Sequence, residues 1–349
     1  MTVAEGVAGY TSATRSRART RTRDGMIDTM RGVAILMVIG IHSLPRIEGS
    51  ALVTAVDAVL RPCVPVFLFA SGYLTAQSGT IPLAKRIVRT LVPYTIAFAA
   101  AYAFMALTNP QMDQRLVVTA VRYVLAYVFV YYYVFVYVGC TLLLWLVFAA
   151  AGREKVTRQP RLLALLSLSI VAGLLVGAYL DPLLARLHVN DAVIEEVRMR
   201  DVPFWFAFAA AGALVGLTRA QSVLRDLRFP LAVGAVLAYA AYALIRIVQI
   251  GDAADYDSIA FFLYSLLFCL AMLGFAWNWQ AIATLGSASY FIYLWHIFVV
   301  MALRAVPALH PHPLASFLTE YIAALLVTAS LAILIRQAAP QRVAQWLGV

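Results

Sequence analysis

Asp28-Thr29-Met30-Arg31-Gly32-Val33-Ala34-Ile35-Leu36-Met37-Val38-Ile39-Gly40-Ile41-His42-Ser43 opens the first long apolar run of the chain. Nothing between Gly32 and Ile41 carries a charge, so the run reads as a helix that crosses a bilayer. An arginine stands near one end and a histidine near the other. Ten residues separate Arg31 from His42. Eleven steps of about 100° return to nearly the same helix face, about 16 Å further along the axis. A cation and an imidazole on one face of a membrane helix are costly to keep without a use.

The same character runs through the whole sequence, which is 63% hydrophobic and only 13% charged over 349 residues. Soluble domains run near half apolar and a quarter charged, so an ordinary soluble protein is excluded. The apolar runs suit helices rather than barrel strands. Candidate spans fall at about 26–45, 55–77, 91–108, 128–151, 161–180, 202–218, 229–249, 258–277, 287–306 and 315–336. The expected fold is an all-α integral membrane bundle of about ten transmembrane helices. The stretch 112–152 is long for one span. It reads either as a membrane-lying helix followed by a span or as two short spans.

A net charge of +10 would raise nucleic acid as a partner for a soluble protein. Here the basic residues sit in loops and report topology instead, so no nucleic-acid partner is expected. Seventeen of the 27 Lys and Arg residues fall in segments that an inside N-terminus places in the cytoplasm. Both termini are therefore expected in the cytoplasm of a multi-pass inner or plasma membrane protein. Residues 1–25 read as a disordered basic tail, 26–340 as one membrane domain and 341–349 as a second cytoplasmic tail. Cys63, Cys140 and Cys269 lie in apolar runs without ligand spacing and read as core residues.

Several residues carry chemistry. His42 can take a proton from a hydroxyl near neutral pH. Arg31 lies too far along a regular helix to orient it, and Asp28, three residues earlier, is a natural ion-pair partner. Ser71-Gly72 interrupts an apolar helix, which fits either close packing or a break that faces a ligand. Lys85, Arg86 and Arg89 form a basic run in which Arg86 and Arg89 share a face. Guanidinium pairs hold phosphates, and positive-inside anchoring explains such a run equally. Tyr123, Tyr127, Tyr131, Tyr132, Tyr133 and Tyr137 read as an interfacial belt or a sugar-stacking platform. His296, inside an apolar span, needs a polar partner or a cavity. Arg61, Arg122, Arg246 and Arg304 sit in the outer halves of apolar segments, where they either snorkel or hold an anionic acceptor. His310 and His312 lack further ligands, and no metal is expected.

Four stretches together resemble membrane-bound acyltransferase family 3, the integral-membrane O-acyltransferases. They are Asp28-x-x-Arg31-Gly32 running on to His42-Ser43, the Val64 to Leu74 stretch, the basic Lys85 to Tyr94 stretch, and Ser289-Tyr290-x-x-Tyr293-Leu294-x-His296. Their order and spacing carry more than any one of them. The chain departs from the family pattern at Val66-Phe67-Leu68-Phe69-Ala70 and at Tyr131-Tyr132-Tyr133-Val134-Phe135.

The resemblance implies transfer of an acyl group, acetyl above all, from acyl-CoA to a hydroxyl of an envelope glycan or lipid-linked sugar. It implies Arg31 and His42 as the essential pair and Arg86 and Arg89, with Lys85, on the acyl donor. Ser71 and Gly72 match the second motif on the donor side. The acceptor, entering from the outer side of the lipid bilayer, is expected near Arg61, Arg122, Arg246, Arg304 and His296. No stretch resembles the soluble hydrolase-like domain of some members, so transfer is expected to finish inside the membrane domain. The competing expectation is a glycan or lipid transporter or flippase, in which intramembrane His and Arg also occur.

Overall fold

The computed structural model describes residues 24–45, 47, 49–109, 111–152, 154–251, 257–306 and 312–349. Residues 1–23 of the tail expected over 1–25, and His310, lie outside the described residues. Among the described residues there is no strand.

Local chemistry sets the helix ends. Helix α1 (Gly25–Ser43) starts where the Asp24 carboxylate accepts from the Met26 and Ile27 N–H groups. The next two helices, α2 (Ala51–Leu60) and α3 (Cys63–Ser78), are one apolar span broken at Arg61-Pro62, where proline has no N–H to give. Gly79, left-handed at φ +66°, closes α3 by donating to the Thr75 and Ala76 carbonyls. Helix α4 (Leu83–Thr108) follows, with Pro93 inside it. The nine-residue α5 (Leu116–Val124) is too short to cross and precedes the single span α6 (Tyr132–Ala150). The stretch 112–152 thus holds a short helix followed by one span.

Five further helices follow in chain order: α7 (Lys155–Arg186), α8 (Asp191–Met199), α9 (Val202–Thr218), α10 (Gln221–Asp226) and α11 (Arg228–Val248). The chain then forms α12 (Ile259–Phe275), α13 (Gln280–Ser287), α14 (Ser289–Arg304), α15 (Pro313–Ala338) and α16 (Gln341–Leu347). Among the described residues, eight helices or helix pairs are long and apolar enough to cross a membrane. The pair α13–α14, bent by 78° at Ala288, makes a ninth if it counts as one span. Helix α12 is shorter but apolar.

Helix α1 is the core element: 67% of its apolar window is buried, against 22% for α7 and α15 and 17% for α11. Those three outer helices turn Val171, Leu175, Val236, Leu237 and Leu326 outward, as a lipid-facing surface requires. Lipid tails are as apolar as leucine, so burial in the bundle gains little and close contact between helices matters more. Two glycine seams supply it. A Cβ on Gly72 of α3 would lie 1.9 Å from the Ala209 carbonyl oxygen of α9, and one on Gly212 would lie 2.0 Å from that of Phe69. A Cβ on Gly32 of α1 would lie 2.0 Å from the Ile282 oxygen of α13, and one on Gly286 would lie 1.8 Å from that of Asp28. The segment 341–349 is not a loose end: α16 packs on α4, and Gly348 lies against Tyr290 and Pro93.

The seams predict a graded response to an added methyl group. Gly286→Ala and Gly212→Ala should each cost about 1–3 kcal/mol by overpacking. They should lower the unfolding temperature of the detergent-purified protein by several degrees. Gly234→Ala, whose new Cβ meets nothing nearer than 3.6 Å, should leave that temperature unchanged.

Candidate active site

The bend between α13 and α14 brings the four sequence stretches to one place. A cavity of about 350 Å³ opens between α1, α3, α4, α6 and α14. Arg31 lines it from α1, Ser71 from α3, and Arg86 and Arg89 from α4. Tyr133 and Tyr137 line it from α6, and Ser289, Tyr290 and Tyr293 from α14. Its charged lining residues are the three arginines, with no carboxylate among them. A cavity so lined favours an anion.

Several of these side chains are held. An Arg86 Nη1–H donates to Thr75 Oγ1 at 2.7 Å, and the Thr75 hydroxyl donates to the Ser71 carbonyl at 2.6 Å. Arg86 is thereby fastened to the last turns of α3. Arg31 lies 3.8 Å from the buried carboxylate of Asp28, the expected partner one turn back. The Tyr290 hydroxyl donates to the Thr90 carbonyl and that of Tyr293 to the Val130 carbonyl, both at 2.6 Å. The rings of Tyr133 and Tyr293 sit 5.5 Å apart. These tyrosines are therefore cavity wall, while Tyr127 lies outside and stacks under Arg200. Ser289 Oγ, at the start of α14, is buried with no hydrogen-bond partner among the described residues.

Beyond Tyr293 stand two histidines. The Tyr293 and His296 rings are 6.4 Å apart, and the His296 and His42 rings 5.3 Å apart. His296 is fully buried. Its Nδ1 lies 2.8 Å from the Tyr293 carbonyl and 3.1 Å from that of Ile292. Two acceptors at one nitrogen place the ring proton there. Nε2 is left as a buried lone pair with no partner among the described residues. Arg304 Nη2 donates to the His42 carbonyl at 2.7 Å and pairs with the buried Glu320 at 2.9 Å, tying α1 to α14 and α15.

The structure does not bring every expected residue to this site. Lys85 is exposed and Gly72 belongs to the α3–α9 seam, so neither lines the cavity. Arg61, at the break after α2, and Arg246 of α11 share one carboxylate: Arg61 Nε and Arg246 Nη1 lie 2.7 and 2.5 Å from Asp57 Oδ2. Arg122 donates to the Asp113 carbonyl at 2.7 Å. In that loop the Arg115 guanidinium, hydrogen-bonded to the Asp113 carboxylate, holds the latter down to about 2. Sequence reading missed Asp57 and Glu320. Each is a lone acid in a long apolar run, and that was the available signal. Among the described residues no cluster of His, Cys, Asp or Glu is placed to hold a metal ion.

Fold and site together define a polytopic helical membrane protein with a cationic cavity, lined by neither histidine, whose Tyr293 wall stands beside the paired His42 and His296. The chain belongs to the membrane acyltransferases whose family model, described as an acyltransferase domain, matches residues 25–337. No curated protein and no solved structure gives a match.

The shared carboxylate yields a test of its own. Asp57→Asn removes the carboxylate that two largely buried guanidinium groups share and should destabilise the protein by about 3 kcal/mol. Arg61→Gln, which leaves Asp57 paired with Arg246, should cost clearly less. Denaturant or thermal unfolding of the two purified variants reads the difference.

Proposed function

We propose that this membrane acyltransferase moves an acyl group, acetyl above all, from cytoplasmic acyl-CoA to a hydroxyl of an envelope glycan or lipid-linked sugar. The observation that carries the reading is the cavity itself. Three arginines without a carboxylate line it, and its Tyr293 wall backs onto the His42–His296 pair. A donor with a phosphate-bearing head and a long thin arm matches that shape. Arg86 and Arg89 take the donor phosphates, with Lys85 adding charge at the rim. Ser289, buried and unpartnered beside them at the first residue of α14, offers a hydroxyl to the donor as well. Arg31 supports the donor from α1.

His42 acts as the general base. One of its ring nitrogens takes the proton of the acceptor hydroxyl as the oxygen attacks the thioester carbonyl. The carbon–sulfur bond breaks, and the CoA thiolate leaves, taking up the proton that His42 accepted from the hydroxyl. His296 Nε2, a lone pair without a donor, accepts a hydrogen bond from the acceptor and fixes it beside His42. Arg304 holds the His42 backbone in place through its carbonyl. In this reading both termini face the cytoplasm of the inner or plasma membrane. The basic start of α4, with Lys85, Arg86 and Arg89, the start of α7, with Arg158 and Arg161, and Arg219 after α9 face the donor side, and the acceptor reaches the histidines from the opposite side.

Purified protein and labelled acetyl-CoA test the proposal. His42→Ala should lose transfer by about 10²-fold or more, the usual contribution of a general base. A His42→Ala protein that transfers at the wild-type rate would remove the base. The Arg86→Ala/Arg89→Ala pair should raise the donor KM about tenfold, from about 1.4 kcal/mol of lost phosphate binding, and change acceptor use little.

A further inference from the structure

A second cavity, of about 860 Å³, lies round the side of α3 from the first. Ser71 and Leu74 face the first cavity, and Tyr73, Ala76 and Gln77 face the second. Its other walls come from the start of α7, through Arg158 and Gln159, and from the end of α9, through Arg219. Two arginines line it and no carboxylate does. Gln77, Gln159 and Gln221 add neutral hydrogen-bonding groups, and Tyr73 and Phe148 add aromatic rings.

Arg158 is the informative residue. Its Nη2 donates to the Gly79 carbonyl at 3.1 Å. Its Nε is buried with no hydrogen-bond partner among the described residues. A guanidinium N–H withdrawn from water and left without an acceptor is unfavourable unless a ligand supplies one. Arg219 caps α9 in the left-handed conformation at φ 51° and lies exposed at the rim.

The last turn of α3 links Arg86 of the first cavity to Arg158 of the second. Arg86 is fastened to Thr75, Gly79 N–H donates to the Thr75 carbonyl at 3.0 Å, and Arg158 is fastened to the Gly79 carbonyl. A ligand with a diphosphate and a separate phosphomonoester a few bonds away can therefore meet one pair with each group. Coenzyme A has that chemistry, its diphosphate leading to a ribose 3′-phosphate and adenine. We infer that the second cavity receives the nucleoside end of the acyl donor, with Arg158 and Arg219 on the 3′-phosphate while Arg86 and Arg89 hold the diphosphate. This inference rests on the acyl-CoA reading of the first cavity. It gives the glutamine amides and aromatic rings a use on the sugar and base.

The test compares acetyl-CoA with acetyl-dephospho-CoA, which keeps the arm and diphosphate and lacks only the 3′-phosphate. Full-length protein in nanodiscs of neutral lipid should show a KM for the dephospho donor about tenfold higher, the worth of one charge-assisted contact. Arg158→Gln and, separately, the rim variant Arg219→Gln should raise the acetyl-CoA KM toward that value and leave the dephospho KM unmoved. Adenosine 3′,5′-bisphosphate should raise the melting temperature of the wild type and not of either variant. Equal KM values for both donors in the wild type would overturn the inference. So would variants that raise both KM values alike. An Arg219→Gln effect that appears only in nanodiscs with anionic lipid would assign the cavity to a lipid phosphate and overturn it too. Failure of the wild type to transfer from either donor would refute the acyl-CoA reading instead.

Discussion

The backbone contact between α1 and α13 is the constraint from which the site follows. Gly32 and Gly286 let the two helices approach until no Cβ fits between them, with the Asp28 carbonyl 1.8 Å from where one would stand. Seated there, α13 is held along the first half of α1, and the chain turns by 78° to begin α14. That turn decides where Ser289, Tyr290, Tyr293 and His296 go. The first three close the arginine-lined cavity, and the fourth meets His42 at the far end of α1. Glycine is needed on both sides because lipid offers the helices no hydrophobic reason to associate, and only close packing replaces it.

The two ends of the bundle treat charge differently. Three of the arginines inside apolar segments meet a carboxylate. Asp57 serves Arg61 and Arg246, and Glu320 serves Arg304. At the other end Arg31, Arg86 and Arg89 share a cavity without a carboxylate, and Arg158 and Arg219 share another. The asymmetry leaves that end of the bundle the more positive one.

The histidine pair shows how a fold fixes a protonation pattern without a carboxylate. The first turn of α14 leaves the Ile292 and Tyr293 carbonyls within reach of His296 Nδ1, and they hold its proton. The opposite nitrogen is committed as an acceptor in a buried place. His42, in the last turn of α1, is braced from behind by Arg304 on its own carbonyl.

Hydropathy and helical periodicity are local quantities, and they were enough to read the all-helical membrane architecture, the first span with Arg31 and His42 at its ends, and the basic run at Arg86 and Arg89. The Asp28–Arg31 pair was legible for the same reason, being one turn of one helix. What lay beyond local reading was contact between distant segments. Gly72 reads as a motif residue beside Ser71, yet one step along a helix turns a side chain by about 100°, so Ser71 faces the cavity while Gly72 faces α9. Asp57 has one partner a single turn away in Arg61, but its second, Arg246, sits 189 residues on, and Glu320 meets Arg304 across 16 residues, so neither acid's long-range pairing could be read locally. Above all, the meeting of His42 with His296 depends on a bend set by glycine contacts between helices far apart in the chain. Only the packed bundle decides which residues a bend brings together.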